Sequence, residues 1–124
     1  IDVTLRTGPM PGDVDYCPVR ATLQLLGQKW VPLIIYELRG GKRRFNELAV
    51  LIGGCNSRTL RDRLESLEEI DIVSRTIVNT MPPWVEYALT ERGQELAVAL
   101  GPLEAWGERN LQALSLVALA STED

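Results

Sequence analysis

Residues 56–90 read NSRTLRDRLESLEEIDIVSRTIVNTMPPWVEYALT, and a change of hydrophobic period inside this stretch decides the fold. Asn56 is a good helix N-cap, and three leucines at helical spacing follow it: Leu60, Leu64 and Leu67. We expect the helix to end near Asp71, because a short polar side chain tolerates a left-handed backbone. Alternating residues rich in β-branched side chains then predict strands over 72–78 and 84–89, joined as a hairpin.

Helical patterns lie on both sides of this stretch. Apolar residues at helical spacing predict three earlier helices, over 18–26, 30–38 and 45–52. Thr90 caps a further helix, which Gly101–Pro102 is expected to kink or interrupt. The order of elements predicts a mainly α fold with a β-hairpin wing (α+β). It is that of a winged helix-turn-helix with added N- and C-terminal dimerisation helices.

The basic charge is segregated, although the chain as a whole is acidic. Its 124 residues carry a formal net charge of −4. Residues 39–63 hold seven basic side chains against two acidic ones, a net charge of +5, while the other residues hold six against fifteen, or −9. Positive charge concentrated at the predicted helix-turn-helix is typical of a protein that binds the DNA backbone.

Composition disfavours several kinds of function. The chain has no histidine, which removes a serine–histidine triad, and its two cysteines cannot make a four-cysteine zinc site. No phosphate-binding loop is present, so we expect no metal, no cofactor and no enzymatic activity. No apolar run approaches the ~20 residues that a membrane helix needs. We therefore expect a cytoplasmic protein with no membrane partner.

The helix predicted to follow Asn56, the recognition helix, has polar side chains opposite its leucines. In such a helix lying in the major groove, N-terminal outward residues contact bases and flanking cations contact phosphates. The residues expected at base edges, beginning at the Asn56 cap, are Ser57, Arg58, Thr59 and Asp62. The residues expected at the DNA backbone are Arg43, Arg44, Arg61 and Arg63, of which Arg43 and Arg44 would begin the preceding helix. Arg75 and Asn79 would contact the DNA backbone or the minor groove from the hairpin. The alternative is a solvated helix face.

Both cysteines are candidate sensing residues. Cys17 precedes Pro18 at a predicted helix N-terminus with Arg20 close by, and both the helix dipole and the arginine lower a thiol pKa. Cys55 adjoins the cap of the recognition helix, where oxidation would perturb DNA contact directly. The alternative for a lone cysteine is a buried, inert thiol.

An apolar stripe continues beyond residue 100. Its members expected at a dimer interface are Leu103, Trp106, Asn110, Leu111 and Leu114. Homodimerisation through this stripe and the first helix would place two recognition helices ~34 Å apart, or a multiple of that, on an inverted-repeat operator. The chain then divides into an arm (1–16), a winged helix-turn-helix DNA-binding domain (17–100) and a C-terminal dimerisation helix (101–120).

Five segments together match one known family: YCPVRATLQLLGQKW (16–30), RRFNEL (43–48), SRTLRDRLESLEE (57–69), VEYALTERGQEL (85–96) and EAWGER (104–109). In this order they resemble the HxlR family of bacterial and archaeal winged-helix transcriptional regulators, relatives of the MarR group. The resemblance implies a homodimeric regulator of a nearby operon, often responding to electrophiles or oxidants through the cysteine of the CP pair, here Cys17. Three residues depart from the family pattern: Asp71 replaces a glycine, Asn56 a serine or threonine, and Cys55 an aliphatic residue.

These features predict a sequence-specific DNA-binding transcriptional regulator, which we expect to be a repressor acting as a homodimer on an inverted repeat. Its partners would be double-stranded DNA, a second copy of the chain, and a small electrophile or oxidant as effector. The alternative from another class is a winged-helix protein–protein interaction module without DNA binding, which the acidic net charge favours.

Overall fold

The computed structural model describes residues 17–111, which form five helices and three strands. The helices are α1 (Pro18–Leu26), α2 (Val31–Leu38), α3 (Phe45–Ile52), α4 (Ser57–Glu69) and α5 (Glu91–Asn110). The strands are β1 (Arg43–Arg44), β2 (Val73–Val78) and β3 (Trp84–Leu89). The predicted class, a mainly α chain with a β-hairpin wing, is confirmed.

The hydrophobic core forms around α2, which is apolar on nearly every side. Four of its side chains are fully buried: Val31, Ile34, Ile35 and Leu38. Leu60, Leu64 and Leu67 of α4 are also fully buried against this core. Because these leucines fix one face of α4, the polar side chains of its opposite face must point to solvent.

The sheet contains one strand that the sequence did not predict. β2 and β3 pair antiparallel, with Val73 opposite Leu89, and β1 pairs with the other edge of β3. The expectation that Arg43 and Arg44 begin the third helix is therefore wrong: they form β1, and α3 begins at Phe45. Their backbone partners belong to a strand far along the chain, which no local pattern reveals.

Predicted cap and turn residues hold the hairpin between α4 and α5. Asn56 Oδ1 accepts a hydrogen bond from the backbone N–H of Thr59 (2.8 Å) and caps α4. Asp71 has the predicted left-handed backbone, with a φ of 63°. Thr90 Oγ1 accepts from the N–H of Gly93 (3.1 Å) and donates to the carbonyl oxygen of Asp71 (2.6 Å). Thr90 thereby joins the start of α5 to the turn that follows α4.

The sequence predicted that Gly101–Pro102 would kink or interrupt the last helix. Interruption is wrong, because α5 runs continuously through this pair to Asn110. Pro102 lacks an N–H and forfeits one backbone hydrogen bond, while the bonds around it maintain the helix. The proposed domain boundary after residue 100 thus lies inside a helix, and the division into domains stays a prediction. The arm of residues 1–16 and Leu114 lie outside the described residues. None of the helices within residues 17–111 is long and apolar enough to cross a membrane.

Candidate nucleic-acid interface

The first two turns of α4 present the side chains predicted to contact bases. Ser57, Arg58 and Asp62 are exposed, and Thr59 is half-buried beside the Asn56 cap. The structure therefore brings these residues together at one end of one helix, outside the leucine face. An arginine guanidinium is planar and can donate two hydrogen bonds to the major-groove edge of a guanine, so Arg58 has the chemistry that the predicted base contact requires.

Arg61 and Arg63 lie on the flanks of α4 and are held differently. Arg61 is exposed, and its guanidinium carbon is 4.9 Å from the centre of the Phe45 ring on α3, a cation–π contact. Nε of Arg63 donates to the carbonyl oxygen of Lys29 (3.0 Å), and the Arg63 side chain is half-buried. Arg61 is thus accessible to an anion, whereas Arg63 links α4 to the connection between α1 and α2.

The neighbours Arg43 and Arg44 point in different directions, because side chains alternate along a strand. Nε of Arg43 donates to the carbonyl oxygen of Glu37 on α2 (3.4 Å), and Arg43 is half-buried. Arg44 is exposed, and its guanidinium carbon is 4.5 Å from the centre of the Trp84 ring. Of this pair, Arg44 is the residue that an external phosphate can reach.

The hairpin places its two predicted contact residues at different positions along its length. Arg75 lies in the middle of β2 opposite Tyr87, and Asn79 follows the end of β2; both are exposed. Met81, in the loop beyond Asn79, is 96% exposed and was not singled out by sequence analysis. The local signal in the sequence is a flexible apolar residue directly before two prolines, Pro82 and Pro83.

Sequence analysis also missed a network beside Arg44. Trp84 Nε1 donates to Glu86 Oε2 (3.0 Å), and Lys42 Nζ lies 3.6 Å from Glu86 Oε1. The hydrogen bond from Trp84, followed by the charges of Lys42 and Arg44, holds the pKa of Glu86 below its usual range. The spacing of Trp84 and Glu86 places them on one face of β3, but only the pairing of β1 with β3 brings the basic residues to them.

Cys17 is an exposed, free thiol at the N-cap of α1. The backbone N–H of Arg20 donates to its Sγ (3.4 Å). This hydrogen bond, together with the N–H of Val19 and the charge of Arg20, lowers the pKa of Cys17 below the usual cysteine value. The structure thus gives Cys17 the exposure and thiolate character that nucleophilic chemistry requires.

Cys55 is a half-buried free thiol beside the cap of α4. Its Sγ lies 3.5 Å from the carbonyl oxygen of Asn56. Burial raises the pKa of Cys55, and the nearby charges of Arg63 and Lys29 offset this only in part. Neither thiol belongs to a metal site within residues 17–111, where no cluster of three or more suitable ligands is found.

Alkylation by iodoacetamide should separate the two thiols. Only the thiolate reacts, so a lowered pKa lets Cys17 react at a lower pH, whereas the raised pKa of Cys55 delays its reaction. We expect the rate at Cys17 to rise with pH about a midpoint below that of Cys55, and to exceed it near neutral pH. Mass spectrometry of the labelled peptides measures both rates, with Cys17→Ser as the control. Equal rates and equal midpoints for the two thiols would contradict the lower pKa of Cys17.

The predicted dimer stripe is exposed where α5 leaves the core. Leu103 and Trp106 are 60% and 50% exposed, and Leu111 is half-buried. The side-chain amide of Asn110 donates to the carbonyl oxygen of Trp106 (2.9 Å), so it bonds within its own helix. Leu103 also lines an apolar cavity of about 410 Å³ between α1, α2 and α5. An apolar surface therefore lies where a second subunit is expected.

The arrangement around α4 defines the class of protein. Gly53 and Gly54 make the turn between α3 and α4, both with positive φ (65° and 79°), which glycine adopts without strain. The exposed helix α4 follows this turn, and the hairpin follows α4. A helix-turn-helix with a hairpin directly behind its second helix is a winged helix-turn-helix, a fold class whose second helix contacts DNA.

Comparison with known proteins identifies the family. The model of the HxlR-like helix-turn-helix family matches residues 25–115, and the chain belongs to this family. The HTH-type transcriptional regulator YdeP of Bacillus subtilis is 38% identical over 97 residues, which cover 78% of this chain and 76% of YdeP. The chain is thus a helix-turn-helix transcriptional regulator, and regulators of this kind bind DNA. Its relatives are regulators and not enzymes.

The chain is also similar to two solved structures of regulators in their reduced forms. The reduced form of the transcriptional regulator YodB from B. subtilis is 34% identical with a TM-score of 0.69, covering 78% of this chain and 96% of YodB. The redox regulator HypR in its reduced form is 38% identical with a TM-score of 0.73, covering 79% of this chain and 97% of HypR. YodB has further diamide-treated and quinone-bound structures, and HypR an oxidised one.

Proposed function

We propose that this protein is a homodimeric repressor that binds an inverted-repeat operator through α4 of each subunit. The observation that carries the proposal is the exposure of Arg58 on the first turn of α4 while the leucines of the opposite face are fully buried. The buried face prevents α4 from rotating about its axis, so the same side chains always face the DNA. Such a regulator acts where the chromosome lies, and we place it in the cytoplasm.

Base contacts are assigned to Ser57, Arg58, Thr59 and Asp62, with Asn56 orienting the helix end by its cap. Phosphate contacts are assigned to Arg44, Arg61 and Arg75, which are all exposed, and Asn79 is assigned to the minor groove. Arg43 and Arg63 take a lesser part, since Nε of each is bonded to a main-chain carbonyl. Their charges still add to the positive field at this surface.

The second subunit is proposed to cover the apolar surface of α5 and α1. Leu103, Trp106 and Leu111 supply its apolar contacts, with Asn110 at its edge, and the sequence pattern extends the stripe to Leu114. In this scheme residues 17–100 bind DNA and residues 101–120 dimerise. Burial of the partly exposed Trp106 would contribute much of the free energy of dimerisation, because an aromatic side chain buries about 150–250 Å².

The effector is proposed to be an electrophile that adds to Cys17. The Sγ thiolate attacks a ring carbon of a quinone and forms a C–S bond, and its electron pair reduces the ring. The hydrogen of the attacked carbon moves to one oxygen, and the other oxygen takes from solvent the proton that the thiol had released. The product is a cysteine-linked hydroquinone, so no further oxidant is needed. The relative YodB has a quinone-bound form, which supports a quinone as the effector. Because Cys17 caps α1, and α1 lines the cavity beside α5, added bulk would shift the dimer geometry and the spacing of the two α4 helices.

An electrophoretic mobility shift titration on a duplex from the protein's own upstream region tests the proposal. We expect binding that resists a random competitor duplex, weakens steeply with salt, and is lost after benzoquinone treatment in the wild type but not in Cys17→Ser. In vitro transcription from the same fragment should decrease, as expected for a repressor. Failure to bind any duplex at low salt would contradict the proposal and support a protein-interaction module.

Trp106→Glu should convert the dimer into a monomer. A central interface tryptophan contributes at least about 2 kcal/mol, and the dimer loses two of them, so its dissociation constant should rise on the order of 10³-fold. Sedimentation equilibrium measures this change. The matched control is Gln94→Glu, an exposed position of α5 outside the stripe. A Trp106→Glu protein that dimerises like the wild type would rule out this interface.

A further inference from the structure

A cleft of about 350 Å³ lies where α3, α4 and the root of the hairpin meet. Its lining combines three arginines and three aromatic rings: Arg44, Arg61, Arg75, Phe45, Trp84 and Tyr87. No carboxylate belongs to the lining among the residues that the structure describes. Glu86 bonds to the lining residue Trp84 and to Lys42 outside the lining. In a chain with a net charge of −4, a lining with three arginines and no carboxylate favours an anionic ligand.

A continuous set of contacts brings Arg61 and Arg75 to this cleft from separate elements. The guanidinium of Arg61 packs on the Phe45 ring at 4.9 Å, and the Phe45 and Tyr87 ring centres are 6.5 Å apart. Tyr87 is directly opposite Arg75 in the sheet, so the two side chains share one face of it. Contacts from Arg61 through Phe45 of α3 to Tyr87 therefore connect the recognition helix to the hairpin, and each of these two elements carries one arginine of the cleft.

Guanidinium groups in one cleft repel each other, and an anion shared by two of them relieves that repulsion. A phosphodiester suits this place, because its two non-bridging oxygens can accept from two arginines at once. The DNA geometry points to the same ligand: each backbone strand separates a major groove from a minor groove. A helix in one groove and a hairpin in the other must therefore straddle a strand, and the cleft lies between them.

We propose that this cleft binds a single phosphate of the operator backbone, held jointly by Arg61 of the recognition helix and Arg75 of the hairpin. The inference rests on the proposed function, because it requires α4 in the major groove. In this arrangement the hairpin and the recognition helix contact the DNA backbone at the same phosphate and not at independent ones. Phe45 is the positioning residue, since it orients Arg61 without touching the DNA itself.

Ethylation interference on the upstream duplex tests the shared phosphate. In the wild type, ethylation at one phosphate of each half-site should block binding. Arg61→Gln and Arg75→Gln should each abolish interference at that same phosphate and leave the other blocking positions unchanged. The charge-matched control is Arg92→Gln, which removes a donor to Ile70 at the far end of α4 and should keep the wild-type pattern.

A salt titration of the double variant gives a second, independent measure. If both arginines hold one phosphate, the double variant should reduce the magnitude of the slope of log K against log salt by about 0.9 per half-site, the same reduction as in either single variant. If the arginines hold two separate phosphates, the double variant should reduce it by about 1.8 per half-site. Interference lost at two different phosphates, or additive slopes, would overturn the shared site while leaving the regulator itself intact. A wild-type protein that binds no duplex would instead refute the proposed function. Circular dichroism melting confirms that each variant is folded.

Discussion

Arg58→Ala is expected to weaken operator binding by about 2–6 kcal/mol per dimer, roughly 30-fold to 10⁴-fold, since each half-site loses a base contact worth about 1–3 kcal/mol. Arg58 is exposed on the first turn of α4, so the substitution leaves the core leucines untouched. Fluorescence anisotropy with the operator and with a random duplex of equal length measures the change. The loss should be concentrated on the operator, because a base contact carries sequence information and a phosphate contact does not.

Arg61→Ala is the informative comparison for Arg58→Ala. It removes the same charge from the same helix, but its guanidinium packs on Phe45 at the flank. We expect it to weaken binding about equally for both duplexes and to reduce the magnitude of the salt slope by about one unit per half-site. If neither variant altered affinity or salt dependence, the docking of α4 on DNA would be refuted.

Gly93→Ala is expected to destabilise the fold by about 3 kcal/mol or more and to lower the melting temperature by roughly 10 °C or more. A Cβ at this position would overlap the carbonyl oxygen of Ile72, a main-chain atom that cannot move aside. That carbonyl accepts from the N–H of Thr90 (3.0 Å), and Thr90 caps α5. Relief of the clash would separate α5 from the start of the hairpin.

Gly101→Ala is the matched control in the same helix. A Cβ there meets nothing within 4 Å, and alanine is the better helix former by about 1 kcal/mol. Thermal unfolding followed by circular dichroism should therefore show Gly101→Ala at or above the wild-type melting temperature and Gly93→Ala well below it. Equal melting temperatures would contradict the close packing of α5 on the hairpin.

Local features of the sequence were sufficient to predict most of the helices and strands. The cap at Asn56, the left-handed turn at Asp71 and the cap at Thr90 were all predicted, because each depends on the chemistry of one side chain and its immediate backbone. The face of α4 was predicted because a helix has a fixed period. The continuity of α5 across Pro102 was not, since the surrounding hydrogen bonds outweigh the local preference of one residue.

The candidate site was predicted as a set of residues but not as an arrangement. Nothing in the sequence distinguishes Arg43 from Arg44, yet one donates to Glu37 and the other packs on Trp84. The sequence also does not reveal that the guanidinium of Arg61 packs on the ring of Phe45, because Phe45 belongs to a different helix. The contact residues assigned to DNA and to the dimer remain predictions that the variants above examine.

Short-range chemistry thus fixed the order of helices and strands, the buried stripe of α4 and the segregation of positive charge, because each of these depends on neighbouring residues alone. The third strand, the divergence of adjacent arginines and the cleft shared by Arg61 and Arg75 depend on β3 lying between β1 and β2. That placement brings together residues far apart in the chain. It follows from burial of one common core, which no single segment encodes.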